Sequence, residues 1–492
     1  MSPKTIAALI AANLLAFAVL LSGCAQNPVT GESDFVLMSE DNELALGRKT
    51  HAQVIERYGR YENPALQNQV RRIGETLAAN SHRAGLIYRF TVLDGQEVNA
   101  FALPGGYIYI TRGLLAFLNS EDELAAVLGH EIGHVTARHS VRQYTAQQAA
   151  NIGVTLGAIL VPQMRTQNVG NLAGVFGTAL LRGYGREHEL EADRLGAEYL
   201  ARGGYDPEAM LRVISVLKNQ ELFERERAQA ENREPNVYHG VFSTHPDNDT
   251  RLTEIVGRAR ALKRPGTRAQ PRDRFLRLLD GMVFGPSARE GVLRGRDFYH
   301  RDLGIALNFP HNWRVENLPD RLVAAAPNND GFLQVMLEDL NKRISPREFM
   351  RKRMGLDSMR RGRSINAGDL PGYTAIADAS TPFGRVPVRF TVIFFETRAY
   401  IFAGAAKDEG ARRRYEKHFM NTALSLHGLE AHELALAEPN RLRVLPAPAA
   451  AAYPTLAANA PLGVYSERLL RLLNGHYPDG EPSPGSLVKI VR

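Results

Sequence analysis

"LGHEIGHVTARH" (128–139) decides how this chain is read, because two histidines stand four residues apart with a glutamate directly after the first. Ser120 with Glu123 forms a capping box ahead of it, and Leu124, Val127, Leu128, Ile132 and Val135 recur at helical spacing. The stretch is therefore predicted to lie inside a helix. Residues four apart on a helix share a face, with Cβ atoms about 5–6 Å apart, so His130 and His134 can each aim a ring nitrogen at one metal ion. The spacing suits zinc. Glu131, rotated about 100° from His130, flanks the ion without competing to bind it, and its carboxylate can reach a water there as general base.

A catalytic zinc takes three protein ligands and keeps one position open, so a third ligand must come from elsewhere. In "EHELEAD" (187–193), Glu189 and Asp193 are four apart on a predicted helix and share a face, and a carboxylate from this pair is the best candidate. With the H-E-x-x-H run at 130–134, Glu189-Leu190-Glu191-Ala192-Asp193, Ser243-Thr244-His245-Pro246 and Arg251 in this order, residues 40–262 resemble the HtpX-type zinc metallopeptidases, gluzincins akin to the CAAX prenyl proteases. The resemblance implies a mostly helical zincin-type domain holding one Zn2+, with Glu189 as third ligand. It also implies that Asp193 accepts a hydrogen bond from a ligand histidine and fixes its tautomer, while Glu191 points elsewhere. The membrane spans of the HtpX branch are missing, so the closer likeness is to the soluble periplasmic, BepA-like lipoprotein branch, although no tetratricopeptide pattern follows. His245 has two readings that stay open: a histidine packed beside the cleft, or a removable fourth ligand whose departure opens a latent site. His139 falls off the face of His134, and His188 faces away from Glu189, so both are expected at the surface or behind the ligands.

The N-terminus has one lysine and then an apolar run, Ile6 to Leu21, short for a membrane span and right for a signal peptide. It closes on Leu21-Ser22-Gly23-Cys24, which resembles the lipobox of bacterial lipoproteins. Cys24 is the one cysteine of the chain, so intrachain disulfides are excluded and lipidation of its thiol is the simplest expectation. By resemblance to the lipoprotein sorting rule, Ala25 in place of aspartate favours the inner leaflet of the outer membrane, facing the periplasm.

At 492 residues the chain is predicted to be α+β and multidomain. Residues 1–23 read as signal peptide, 24–45 as tether, 46–262 as the metallopeptidase domain and 263–292 as a basic, proline-bearing linker. Within the domain, 88–94 and Tyr107–Thr111 read as strands of a small sheet. The second is expected at its edge, where an extended substrate could add as a further strand. The alanine- and glycine-rich stretch 146–182 reads as a helical hairpin. Strands near 303–309, 332–340, 373–379 and 386–406, with helices near 345–356 and 409–424, make 293–428 an α+β domain that resembles the PsbP-like fold. The tail 443–492 resembles a LysM module through "LLNGHYPDGEPSPGSLVKIV" (472–491), which implies contact with peptidoglycan.

The net charge of +7 gathers in runs such as 258–274 and 341–363 that hold a single aromatic, Phe349, and no series of them between the basic residues, so a nucleic-acid groove is excluded and a solvated or lipid-facing surface expected. The expected function is a zinc metalloendopeptidase of the bacterial envelope acting on unfolded or misassembled outer-membrane proteins. Chaperone activity and contact with outer-membrane assembly components belong to the same expectation. The competing reading is a non-catalytic periplasmic chaperone, scaffold or peptidoglycan-associated protein with a structural zinc.

Overall fold

The computed structural model describes residues 24–36, 38–146, 148, 184–235, 248–263, 271–318, 320–449 and 452–492. These form two compact units, one of residues up to Phe284 together with Arg441–Arg492, the other of Gly285–Asn440. The expected signal peptide, the expected hairpin between 149 and 182 and His245 lie outside the described residues.

The first unit is built around a helix that is buried on every side. Helices α1 (Glu40–Tyr58) and α2 (Pro64–Ala79) are capped by Ser39 and Asn63, with Pro64 in the first turn of α2. Strands β3 (Arg89–Leu93), β4 (Ala100–Leu103) and β5 (Tyr107–Thr111) follow, then the short α3 (Arg112–Phe117) and α4 (Glu121–Thr136). Every residue of α4 is buried, as expected of a helix at the centre of a core. The Ser120 side chain accepts from Glu123 N, but the Glu123 carboxylate accepts from Asn119 N at 2.7 Å, one residue before the position a capping box requires. Glu121, Asp122 and Glu123 put negative charge where the helix dipole favours it, and Arg72 pairs with Glu121 at 2.7 Å.

Helix α5 (Arg186–Gly203) packs directly against α4, and its last turn closes on Gly204, whose φ of +81° is open to glycine at little cost. Helices α6 (Ala209–Ala230), α7 (Asn248–Leu262) and α8 (Arg272–Leu279) complete this side.

Four expectations are corrected here. Residues 24–45 are more than a tether: β1 (Cys24–Gln26) pairs antiparallel with β2 (Ser33–Phe35), and α1 begins at Glu40. Strand β5 is central, parallel to β3 and antiparallel to β4, so both its edges are already hydrogen-bonded and it cannot add a substrate strand. Within the supposed linker 263–292, α8 buries Phe275, Leu276 and Leu279 in the core that holds Leu124 and Leu128. The tail, finally, is part of this unit. Strands β17 (Leu442–Pro446) and β18 (Leu487–Val491) pair antiparallel, and α12 (Ser466–Leu473), which follows α11 (Tyr453–Ala457), sends Leu470 and Leu473 into the same core. Lys489 is fully buried and its Nζ donates to Ala116 O at 2.6 Å and Leu118 O at 2.8 Å, just ahead of α4. A strand carrying a buried lysine and apolar neighbours has its partner in its own chain, which the turn pattern of the tail could not disclose.

The second unit is the expected α+β domain, widened to 285–440. Its seven-stranded antiparallel sheet runs β12 (Arg360–Ala367), β13 (Leu370–Thr381), β14 (Gly384–Phe395), β15 (Arg398–Ala406), β11 (Gly331–Asp339), β10 (Arg321–Ala325), β9 (Arg314–Leu318). A second sheet joins β16 (His427–Gly428), β8 (Ile305–Asn308), β7 (Asp297–His300) and β6 (Val292–Arg294). Helix α10 (Glu409–Leu424) buries Tyr415 and Phe419 with Trp313 and Phe402, while α9 (Pro346–Lys352) buries Phe349 and Met350 with Val392 and Ile401. Since Ile401 and Phe402 are neighbours on one strand, these two clusters lie on opposite faces of the sheet.

Candidate metal centre

The approach of α4 to α5 makes the site. Gly129 and Gly133 each precede a histidine, and they meet Ala192 and Gly196 across the helix pair. A Cβ on Gly133 would stand 2.9 Å from Ala192 O, and one on Gly196 would stand 3.0 Å from His130 N. Only hydrogen fits there, so the backbones come close enough for side chains of the two helices to converge. His130, His134 and Glu189 do so, each buried, with ligand atoms all within 4.8 Å of one another.

Their separations suit a metal. His130 Nε2 and His134 Nε2 are 3.0 Å apart, and Glu189 places Oε2 3.5 Å from the first and Oε1 3.4 Å from the second. Donor atoms about 2.0–2.1 Å from a tetrahedral ion stand roughly 3.3–3.4 Å from each other. Charge points the same way. Glu131, Glu189 and Asp193 are buried carboxylates faced by the buried guanidinium of Arg251, an excess of two negative charges that a divalent cation offsets. Burial raises the Tyr184 pKa and the Glu131 charge adds to it; burial works against the Arg251 charge, but Asp193, Glu189 and then Glu131 outweigh it.

Behind His130, Nδ1 lies 2.8 Å from Asp193 Oδ1. Arg251 grips the same carboxylate with two bonds, Nε to Oδ2 at 2.7 Å and Nη2 to Oδ1 at 2.8 Å, and its Nη1 sits 3.4 Å from Glu189. Arg251 is thus committed to the acidic cluster. Burial alone would raise the Asp193 pKa, but Arg251 and His130 outweigh it and hold the carboxyl below its ordinary value. Burial also works against a proton on His130, yet Asp193 and Glu189 carry its pKa up to about 9. Burial drives His134 well below its usual value.

Behind His134 the structure puts His139 in the second of its two expected places and departs from expectation at Glu191. His139 is fully buried, and its Nδ1 lies 2.8 Å from His134 Nδ1. Its Nε2 lies 3.0 Å from Glu191 Oε2, so Glu191 turns toward the site and not away from it. Tyr184 stacks on His134 with ring centroids 4.1 Å apart, and His188 stacks on His139 at 4.3 Å. Burial lowers the His188 pKa to about 4. A spacing of five is off the face of a continuing helix, but α4 stops at Thr136 and Arg138 adopts φ +53°, which swings residue 139 back beneath His134. The left-handed turn has no glycine to announce it.

A helix bearing H-E-x-x-H whose histidines meet a glutamate from a second helix defines a metallopeptidase domain. Residues 64–259 match the model of peptidase family M48, so this part of the chain is a domain of the M48 type. The chain is similar to the beta-barrel assembly-enhancing protease of Yersinia pestis, 28% identical over 333 residues, covering 63% of this chain and 65% of that protein. The protein of that name from Escherichia coli strain K12 is 28% identical over 245 residues, covering 48% of this chain and 47% of its own length. Mitochondrial metalloendopeptidase OMA1 of Arabidopsis thaliana is 34% identical over 187 residues, 38% of this chain and 36% of that protein. The chain thus spans less than two thirds of the length of each of these relatives. Among solved structures, cyanobacterial PsbP from Synechocystis sp. PCC 6803 covers 28% of this chain at a TM-score of 0.23 and 11% identity.

Proposed function

We propose that this chain is a zinc metalloendopeptidase of the bacterial envelope that hydrolyses peptide bonds in unfolded or misassembled outer-membrane proteins. The observation that carries the reading is the convergence of His130, His134 and Glu189 with Glu131 buried beside them. Two nitrogen donors and a carboxylate suit zinc in an open catalytic site. The names of the relatives support the substrate class, since the bacterial ones are beta-barrel assembly-enhancing proteases.

Bound there, zinc supplies Lewis acidity to a scissile carbonyl and lowers the pKa of a neighbouring water toward ~7. The chain's residues supply the rest. His130, His134 and Glu189 hold the ion, and the Arg251 and Asp193 pair keeps the His130 ring oriented. The Glu131 carboxylate takes the proton of the attacking water and passes it to the leaving amine nitrogen, a transfer worth about 100- to 10,000-fold in rate.

Lipidation at Cys24 would tether the domain to the outer membrane, facing the periplasm. No helix among the described residues is long and apolar enough to cross a membrane. His245 remains the proposed gate, lying six residues before Arg251, which reaches into the site. Chaperone activity and contact with outer-membrane assembly components belong to the same proposal, as does a peptidoglycan contact through the tail.

The test is hydrolysis of an unfolded protein such as casein by the wild type, by the wild type with chelator, and by E131Q. Loss in both treatments, with zinc retained by E131Q, is the expected result. Undiminished cleavage by E131Q would overturn the assignment.

A further inference from the structure

The two ligand histidines are held from behind by different chemistry. For His130 the logic is direct: Asp193 can only accept a hydrogen bond, so His130 Nδ1 carries the proton and Nε2, on the side of Glu189, is left unprotonated to bind metal. Among the described residues, the group at His134 Nδ1 is not a carboxylate. It is another imidazole, His139, with the two Nδ1 atoms 2.8 Å apart. Such a pair shares one proton, and either ring could own it. If His139 owned it, the proton of His134 would sit on Nε2 and block the metal.

The far side of His139 settles the direction. His139 Nε2 lies 3.0 Å from Glu191 Oε2, and the same oxygen accepts from Arg142 Nη1 at 3.1 Å. A carboxylate clamped by a guanidinium only accepts, so the proton of a neutral His139 belongs on Nε2. His139 Nδ1 is then an acceptor, His134 donates to it from Nδ1, and His134 Nε2 is unprotonated, 3.4 Å from Glu189 Oε1. The stacking of Tyr184 on His134 and of His188 on His139 fixes the ring planes, leaving proton direction as the variable that Glu191 decides.

We propose that His139 and Glu191 are positioning residues that set the tautomer and orientation of His134 for metal binding, an arm parallel to the Asp193 and Arg251 arm behind His130. This rests on the metal centre put forward under the proposed function. Outer hydrogen-bond partners of ligand histidines are generally worth about 10- to 100-fold in metal affinity, and the arm behind His134 is built to supply that share.

The experiment measures zinc affinity of the full chain by competition with a chromogenic chelator at fixed pH, together with the visible spectrum of the cobalt-substituted protein and the thermal midpoint of the metal-free form. Wild type, H139A, H139N and E191A are compared. H139A loses the acceptor and is expected to bind zinc about 10- to 100-fold more weakly with an altered cobalt spectrum. In H139N the amide oxygen can accept from His134 Nδ1, so affinity is expected to return to within several-fold of wild type with the native spectrum. Equal affinity and spectrum in H139A and wild type would overturn the proposal, as would equal losses in H139A and H139N, which would reduce His139 to packing. If H139A does not fold, E191A, which removes the acceptor at a position that is partly exposed, decides: about tenfold weaker binding supports the arm, and unchanged binding overturns it. A wild type that binds no zinc would instead sink the metal centre itself.

Discussion

Replacing Gly196 with alanine probes the helix approach that assembles the site. The new Cβ would stand 3.0 Å from His130 N, 3.1 Å from Gly129 C and 3.2 Å from His130 Cα, all backbone atoms that cannot rotate aside. Ordinary contact begins near 3.4 Å, so the helices must part by about 0.4 Å. Alanine gains about 0.5–1 kcal/mol over glycine in a helix interior, while overpacking a tight core costs about 1–3 kcal/mol. The net change is a loss of roughly 0–2 kcal/mol, a few degrees in thermal midpoint. The site should suffer more. Glu189 lies two turns before Gly196, and a shift of about 0.4 Å exceeds the ±0.2 Å within which metal-ligand distances are held. Zinc affinity of G196A, read by chelator competition, should fall about tenfold or more. A control is at hand in Gly257 on α7, where nothing described lies within 4 Å of an added Cβ, so G257A should stabilise slightly and leave zinc affinity unchanged. If G196A binds zinc as tightly as wild type, the close approach is not what sets the metal geometry.

E131Q should retain zinc while its kcat on an unfolded protein falls by about 100- to 10,000-fold, measured by metal analysis and proteolysis of the same preparation. K489M removes the donor that satisfies Ala116 O and Leu118 O. With each unsatisfied buried carbonyl costing roughly 1–3 kcal/mol, partly offset by no longer burying an amine, the first unit should lose about 2 kcal/mol in denaturant unfolding. In the second unit, burial works to lower the His427 pKa, but Ser425 O at 2.7 Å and Glu433 raise it above its ordinary value. A raised folded pKa stabilises fully below the unfolded value, about 6.5, and the benefit disappears as pH rises through the folded value. The thermal margin of wild type over H427Q should therefore be present at pH 5.5 and absent by pH 9.

The metal helix was legible because its determinants are local: a capping serine, acids in the first turn and a periodic apolar stripe all fall within Ser120–Val135. The pairing of Glu189 with the histidines rested on family resemblance, and the geometry accords with it. The arm through His139 was not legible, since it depends on Arg138 leaving the helix at φ +53° and on a partner 52 residues away, Glu191. Strand order was hidden for a related reason. "YIYIT" is buried on both faces and paired on both edges, and a continuous β-forming run does not say which neighbours it has. The tail looked autonomous because its turns are local and its partners are not: Lys489 meets carbonyls more than 370 residues earlier.

X-ray absorption at the zinc edge tests the central claim most directly. The zinc-loaded chain should show two imidazole nitrogens at about 2.0–2.1 Å with oxygen donors at about 2.0–2.2 Å, and H134A should lose one imidazole from that shell. A zinc shell holding fewer than two imidazoles in the wild type, or one unchanged by H134A, would contradict the convergence of His130, His134 and Glu189 on a single ion.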